Sequence, residues 1–240
     1  DIILNLGATT TVYATGTVSD FNGFADLNLA TATVYRSGAG AACMLDDNDC
    51  YVASSTGGQC SFTDCSGTSC TLLCSVDIYY HADPTDSGTY AGEEWLAYLE
   101  VEDQAGGYDF GSAMGVELMT LRAIDVDNYR DYGTLDVLQD TGSTNATTDI
   151  YNLGNESIDV DIAGTDMTDG AASIIPVSEQ ILATSTFTYS SCTVCSTLSL
   201  VGSTIEVDLS KPVSSTPLVQ DSIYWGIEIP FGTASSPHEG

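Results

Sequence analysis

The chain has 240 residues, enough for two domains of about 100 to 150 residues each. Its 34 acidic residues against 4 basic ones give a formal net charge of -30, which repels nucleic-acid phosphates and anionic lipid headgroups. No apolar run approaches the roughly 20 residues that cross a bilayer. We therefore expect no nucleic-acid partner and no membrane span.

Apolar and polar residues alternate from the first residue to about residue 19. This stretch is longer than one ordinary strand, so the pattern predicts two strands, split near Gly7. Its apolar face carries Ile2, Leu4, Leu6, Val12, Ala14 and Val18. The chain begins at Asp1 without a basic-then-apolar leader, which we interpret as the mature form of a secreted protein.

Alternation of period two predicts further strands along the whole chain. They lie at residues 72–80, 95–101, 158–162, 205–209 and 225–229. Turn sequences such as Asn22-Gly23 and Ala82-Asp83-Pro84 separate them, and no helical stripe persists. The pattern predicts an all-β protein of two antiparallel β-sandwich domains, residues 1–110 and 111–240. It also places Trp95 and Trp225 on inward-facing positions.

The two ends of the chain suggest a way to polymerise. Residues 224–230 read as a strand, but the sequence after Phe231 is polar and turn-like, so a closing strand is missing. An open edge is a template for pairing, and Asp1, Ile2, Ile3, Leu4, Asn5, Leu6 and Gly7 form an apolar strand that could fill such a gap in a neighbouring copy. The alternative is that this strand pairs within its own domain.

Eight cysteines without nearby histidines predict disulfides rather than a metal site. Six of them fall in one polar stretch: Cys43, Cys50, Cys60, Cys65, Cys70 and Cys74. Their pairing stays open, because six cysteines can be joined in many ways. Cys192 and Cys195 form a Cys-x-x-Cys in strand-like sequence, which favours a structural staple over a redox site.

The sequence contains candidate sites for glycosylation and for calcium binding. Asn145-Ala-Thr147 and Asn155-Glu-Ser157 match the N-glycosylation pattern, and Ser/Thr-rich loops could carry O-linked glycans. Calcium (Ca2+) prefers oxygen ligands, which acidic loops supply. The candidate metal ligands are Asp46, Asp47 and Asp49 in one loop and Asp125, Asp127 and Asp131 in another, with Asp20, Asn22 and Asp26 as a third group of the same kind. In so acidic a chain, each group is also explained as a solvated surface.

No catalytic residue is predicted. Asp140-Thr-Gly-Ser143 and Asp86-Ser-Gly-Thr89 resemble aspartic-protease motifs, but that mechanism needs two carboxylates on comparable lobes, for which the chain is too short. The only histidines are His81 and His238, and no Gly-x-Ser-x-Gly elbow accompanies them. We expect His81 to be structural.

Several segments carry a resemblance to known surface proteins. They are residues 18–23 (VSDFNG), 80–86 (YHADPTD), 152–158 (NLGNESI) and 224–227 (YWGI). These resemble Ig-like surface proteins of uncultured environmental microbes, and the chain as a whole resembles subunits of glycosylated extracellular fibrils that assemble by strand exchange. The resemblance implies Ig-like sandwiches. In those surface proteins a further strand commonly follows the Trp-Gly strand, from which this chain departs by ending at Gly240.

Taken together, the sequence predicts a secreted, acidic structural protein. The expected function is that of a homopolymeric subunit of an extracellular fibril or surface filament, joined head to tail by donor-strand exchange through Asp1 to Gly7. The alternative is a monomeric cell-surface adhesin or a calcium-dependent carbohydrate-binding module.

Overall fold

The computed structural model describes all residues from 1 to 240 and is all-β, with antiparallel sheets. The strands are β1 Thr9–Ser19, β2 Leu27–Arg36, β3 Cys50–Ser54, β4 Cys60–Ser66, β5 Ser69–Tyr79, β6 Trp95–Asp103, β7 Tyr108–Ser112, β8 Ile124–Val126, β9 Ala146–Asn152, β10 Ile158–Ile162, β11 Met167–Thr168, β12 Ile174–Ile175, β13 Gln180–Ala183, β14 Ser196–Thr197, β15 Ser203–Leu209 and β16 Val219–Ile227. Single 3₁₀ turns occupy Phe24–Asp26, Gly88–Tyr90, Val177–Glu179 and Tyr189–Ser191. None of the helical segments has the length and apolarity that crossing a membrane requires.

The chain divides into two compact units. Unit 1 comprises Asp1–Ala123, Leu153–Glu156 and Lys211–Leu218, and unit 2 comprises Ile124–Asn152, Ser157–Ser210 and Val219–Gly240. The predicted boundary at residue 110 therefore lies inside unit 1. Two short later segments also return to unit 1, which a single cut in the sequence does not describe.

Unit 1 consists of two antiparallel sheets whose buried side chains form one core. The first has the order β1-β5-β4 and the second the order β3-β2-β6-β7. In β5, Leu72, Val76 and Ile78 are buried on alternate positions, as the period-two pattern predicts. Trp95 at the start of β6 is 1% exposed, which confirms its predicted inward position.

Unit 2 contains a five-stranded sheet, β14-β13-β16-β9-β8, and the pairs β10-β15 and β11-β12. Its core combines residues of the five-stranded sheet with the alternate inward residues of β10 and β15. Trp225 on β16 is buried and its indole Nε1 donates to Thr148 Oγ1 at 2.8 Å. The alternation predicted a strand through residue 229, whereas β16 ends at Ile227.

All eight cysteines form disulfides, which confirms the sequence prediction. The pairs are Cys43–Cys50, Cys60–Cys74, Cys65–Cys70 and Cys192–Cys195. The middle two join β4 to β5. Strand β4, CSFTDCS, is polar and has few apolar side chains to bury, whereas β5 supplies buried core residues. The two bridges therefore attach the polar strand β4, which burial alone holds weakly, to the well-buried β5.

Candidate functional site

The N-terminal segment, Asp1–Gly7, lies against unit 1. Ile2 forms a parallel bridge with Leu118: its N–H donates to Glu117 O at 2.7 Å, and Met119 N–H donates to Ile2 O at 2.9 Å. Leu4 is 5% exposed and belongs to the core of unit 1. The segment thus fills a position within its own unit, which was the alternative weighed from the sequence.

Side-chain burial in this segment is confined to alternate residues, although Asn5 also donates to Thr9 O and Gly7 N–H to Leu153 O. Ile3 is 74% exposed and Leu6 is 55% exposed, although Leu6 was predicted to face inward. The predicted break falls at Gly7, whose φ of +60° is the left-handed conformation that glycine adopts without strain. Only an isolated bridge forms before that residue, so β1 is the one regular strand of the first nineteen residues.

Unit 1 also has a surface cleft beside the unpaired edge of β1. Strand β1 pairs only with β5, and β7 pairs only with β6, so each strand leaves one edge unpaired. Between these edges lies a cleft of about 560 Å³, the β1 cleft, which is lined by residues of β1, β6, β7 and adjoining loops. Its lining includes Leu99, Val101, Phe21, Tyr108 and Phe110. The last three are strongly exposed aromatic side chains.

Carboxylates gather at one end of the β1 cleft. Carboxylate oxygens of Asp20, Asp26 and Asp103 lie within 4.8 Å of one another, and Asp20 and Asp103 also line the cleft. The Asn22 amide donates to Asp26 Oδ2 at 3.3 Å. The third of the sequence-predicted acidic groups is therefore the one that the fold brings together, with Asp103 added from the end of β6.

The two acidic loops predicted as metal sites are not brought together as ligand sets. Asp46 Oδ1 accepts from the backbone and side chain of Asn48, and these bonds hold the pKa of Asp46 below its ordinary value. Asp49 pairs with Arg36, and the backbone carbonyl of Asp47 accepts the Tyr51 hydroxyl. In the second loop, Asp127 Oδ2 accepts from Asp149 N–H and Asp131 Oδ1 from Gly133 N–H, while Asp125 lies on β8. A second convergent group, Asp159, Glu206 and Asp208, lies on the exposed face of β10 and β15.

Neither predicted N-glycosylation site presents an accessible amide nitrogen. Asn155 is fully buried: its Nδ2 donates to Ala82 O at 3.1 Å and to Met119 O at 3.2 Å, and its Oδ1 accepts from Leu121 N–H at 2.6 Å. The Nδ2 of Asn145 is also buried, without a hydrogen-bond partner, while its Oδ1 accepts from Phe187 N–H. A glycan on Nδ2 of Asn155 would replace the hydrogen bonds that hold this side chain in the core.

The residues considered for catalysis serve local structure. Asp86 Oδ1 accepts from the backbone N–H and the hydroxyl of Thr120, and Asp140 Oδ1 accepts from Gly142 N–H. These two aspartates belong to different units. His81 is fully buried between the rings of Tyr79 and Tyr80, and burial lowers its pKa.

Sequence reasoning missed a charged centre in unit 1. Arg36 is 8% exposed and its guanidinium contacts the carboxylates of Asp49 at 3.1 Å, Asp83 at 3.2 Å and Glu93 at 2.5 Å. The ring of Tyr90 covers the guanidinium at 3.8 Å. The available signal was the scarcity of basic residues: with four in the chain, each was a candidate for a buried ion pair.

Comparison of the chain with family models, with curated proteins and with solved structures finds no match.

Proposed function

We propose that the protein is a structural subunit of an extracellular fibril or surface filament that polymerises by donor-strand exchange. In this proposal the two units are Ig-like β-sandwiches, and Asp1–Gly7 of each copy occupies, in a neighbouring copy, the position beside Glu117–Met119. The contacts of Ile2 and Leu4 are the same in either arrangement, so exchange between copies has a small energetic cost.

The observation that carries the proposal is that few contacts join the N-terminal segment to the rest of unit 1. They include two backbone hydrogen bonds at Ile2, one from Gly7 N–H to Leu153 O, the buried side chain of Leu4, and hydrogen bonds of Asn5 to the start of β1. The left-handed Gly7 joins the segment to β1. A segment that packs as one edge strand beyond a hinge can move to another copy as a unit. In this proposal each copy gives its strand to one neighbour and receives a strand from a different one, so the contact is head to tail and forms a filament rather than a closed, reciprocal dimer.

The extracellular location is supported by the disulfides. Four disulfides and no free cysteine are typical of oxidising compartments. The charge of -30 suits a solvated surface and disfavours nucleic-acid and anionic-membrane partners. We expect other copies of this chain to be its principal partner.

The test removes or weakens the donor segment. Deletion of residues 1–7 is expected to yield dispersed particles with all four disulfides intact, as seen by negative-stain electron microscopy and sedimentation. Leu4→Asn places a polar group in the core contact and is expected to abolish filaments, whereas the matched Ile3→Asn at the exposed neighbouring position leaves them intact. Regular filaments of the deletion variant would overturn the strand-exchange mechanism, and absence of filaments from the unaltered chain would overturn the fibril function.

The β1 cleft favours a second candidate, a monomeric adhesin or calcium-dependent carbohydrate-binding module. Exposed aromatic rings and clustered carboxylates offer stacking faces and hydrogen-bond acceptors to a sugar. A glycan-binding screen with and without chelator distinguishes the two. Chelator-sensitive glycan binding that Asp103→Asn removes, by particles that never polymerise, would support the module.

A further inference from the structure

The only lysine of the chain, Lys211, extends its amine into a semi-buried polar site of unit 1. Its Nζ donates to Asn48 Oδ1 at 2.8 Å and lies 3.0 Å from Asp83 Oδ1. The Lys211 side chain is 21% exposed and that of Asp83 is 8% exposed. An amine, a carboxamide and a carboxylate thus meet where water has limited access.

The carboxamide of Asn48 is held in one orientation. Its Nδ2 donates to Asp46 Oδ1 at 2.9 Å and to Val213 O at 3.0 Å, so the amide nitrogen points away from Lys211 and the carbonyl oxygen points toward it. The backbone N–H of Asn48 donates to the same Asp46 oxygen at 2.8 Å. Such fixation of a reacting group lowers the entropic part of a reaction barrier.

Asp83 is fixed relative to both reacting groups. Its backbone N–H donates to Asn48 O at 2.8 Å, and its backbone carbonyl accepts from Trp95 Nε1 at 3.0 Å. Its Oδ2 accepts from Arg36 Nε at 3.2 Å, which leaves Oδ1 directed at the Lys211 amine. A carboxylate at hydrogen-bond distance from an amine is placed to transfer its protons.

We propose that Lys211 and Asn48 form an intramolecular isopeptide bond, with Asp83 as the proton-transfer residue. The Asp83 carboxylate takes one proton from the Lys211 ammonium, and the freed Nζ lone pair attacks Cγ of Asn48. Asp83 gives this proton to the departing Nδ2 of Asn48. It then takes a second proton from Nζ of Lys211 and gives that proton to the same Nδ2. The Cγ–Nδ2 bond breaks, nitrogen leaves as ammonium, and Asp83 returns to the carboxylate. No oxidant or co-reactant is needed.

The cross-link would tie the loop after Cys43 to the segment that begins at Lys211. Both lie in unit 1, although most of the sequence between residues 124 and 210 belongs to unit 2. A covalent bond between positions so distant in sequence reduces the conformational entropy of the unfolded chain. The cross-link lies within one unit of one copy, so it can form in a filament subunit and in a monomer alike.

The first measurement is the intact mass of the unaltered chain, produced folded in a host without glycosylation and then fully reduced and denatured. The expected mass is lower than the sequence mass by one ammonia. An amine-reactive label added to the denatured chain is expected to modify the α-amino group and no ε-amine, because Lys211 is the only lysine. Peptide mapping should yield a branched peptide that contains both Asn48 and Lys211.

Three variants assign the roles. Lys211→Arg and Asp83→Asn are expected to show the full sequence mass, whereas Asn48→Asp still cross-links and loses one water instead of ammonia. Asn128→Asp, in a different loop, serves as the control that keeps the ammonia loss. A full-mass unaltered chain with a labelled ε-amine would overturn the proposal without reference to any variant. Ammonia loss with a labelled ε-amine would also overturn it, because a cyclised asparagine then accounts for the mass.

Discussion

Replacement of Arg36 by methionine tests the charged centre of unit 1. Methionine keeps a long, unbranched side chain but removes the guanidinium that contacts Asp49, Asp83 and Glu93. Loss of one partner from a buried ion pair destabilises the charge left behind; Asp83 still has the Lys211 amine at 3.0 Å, but Asp49 and Glu93 lose the guanidinium. We therefore expect Arg36→Met to lower the free energy of unfolding of unit 1.

The size of the loss follows from how much water each carboxylate regains. Side-chain exposure is 8% for Asp83, 25% for Asp49 and 30% for Glu93, so Asp83 is the most deeply buried and the other two are partly rehydrated. Breaking a buried pair costs about 3 to 5 kcal/mol; the partial rehydration of Asp49 and Glu93, and the Lys211 amine that remains beside Asp83, place the expected loss near the lower end of that range. Arg122→Met is the matched control, because the Arg122 side chain is 74% exposed and pairs with Glu156 alone.

The loss should also depend on pH. Burial raises the pKa of Asp49, and the charge of Arg36 opposes that rise, so the variant has a still higher Asp49 pKa. A carboxyl whose folded pKa is raised contributes stability below the unfolded pKa and loses it as pH rises through the folded pKa. The difference between variant and parent is therefore largest at neutral pH and shrinks toward about pH 4.

Urea unfolding followed by tryptophan fluorescence measures this quantity. Trp95 is the only tryptophan of unit 1, so both proteins carry Trp225→Phe to remove the signal of unit 2. A change no larger than that of Arg122→Met, or a loss that stays constant on acidification, would refute the reasoning.

Two further predictions concern buried polar residues of unit 1. Burial lowers the pKa of His81 from its ordinary 6.5, so the stability linked to its neutral ring is present above that pH and is lost as pH falls. His81→Phe is therefore expected to flatten the acid side of the stability profile in urea titrations, and an unchanged slope would contradict it. Asn155→Ala leaves Leu121 N–H, Ala82 O and Met119 O without their partner and should cost about 1 to 3 kcal/mol by thermal melting, even in protein from a host without glycosylation. A melting temperature equal to that of the parent would show that these hydrogen bonds contribute nothing.

Features that arise from neighbouring residues could be predicted from the sequence. Alternation of period two places successive side chains on opposite faces of a strand, so the strand class, the inward tryptophans and the break at Gly7 follow from local pattern. The oxidised state of all eight cysteines follows from their even number and polar surroundings. The prediction that Leu6 faces inward was wrong. Alternate side chains of a strand lie on opposite faces only where the strand is paired, and before Gly7 the β-bridge pairing is limited to Ile2.

Features that depend on distant contacts were decided by the tertiary structure. The sequence identified Asn155 as a glycosylation candidate, but the fold buries its amide against Ala82 and Met119. It offered acidic loops as candidate metal sites, with a solvated surface as the alternative, but the fold pairs Asp49 with Arg36 and brings Asp103 close to Asp20 and Asp26. The approach of Lys211 to Asn48 and Asp83 has no local signature, because it joins residues far apart in the chain. Composition and alternation determine what kind of fold forms, whereas the chemistry of each polar side chain is set by which distant partner the packing brings to it.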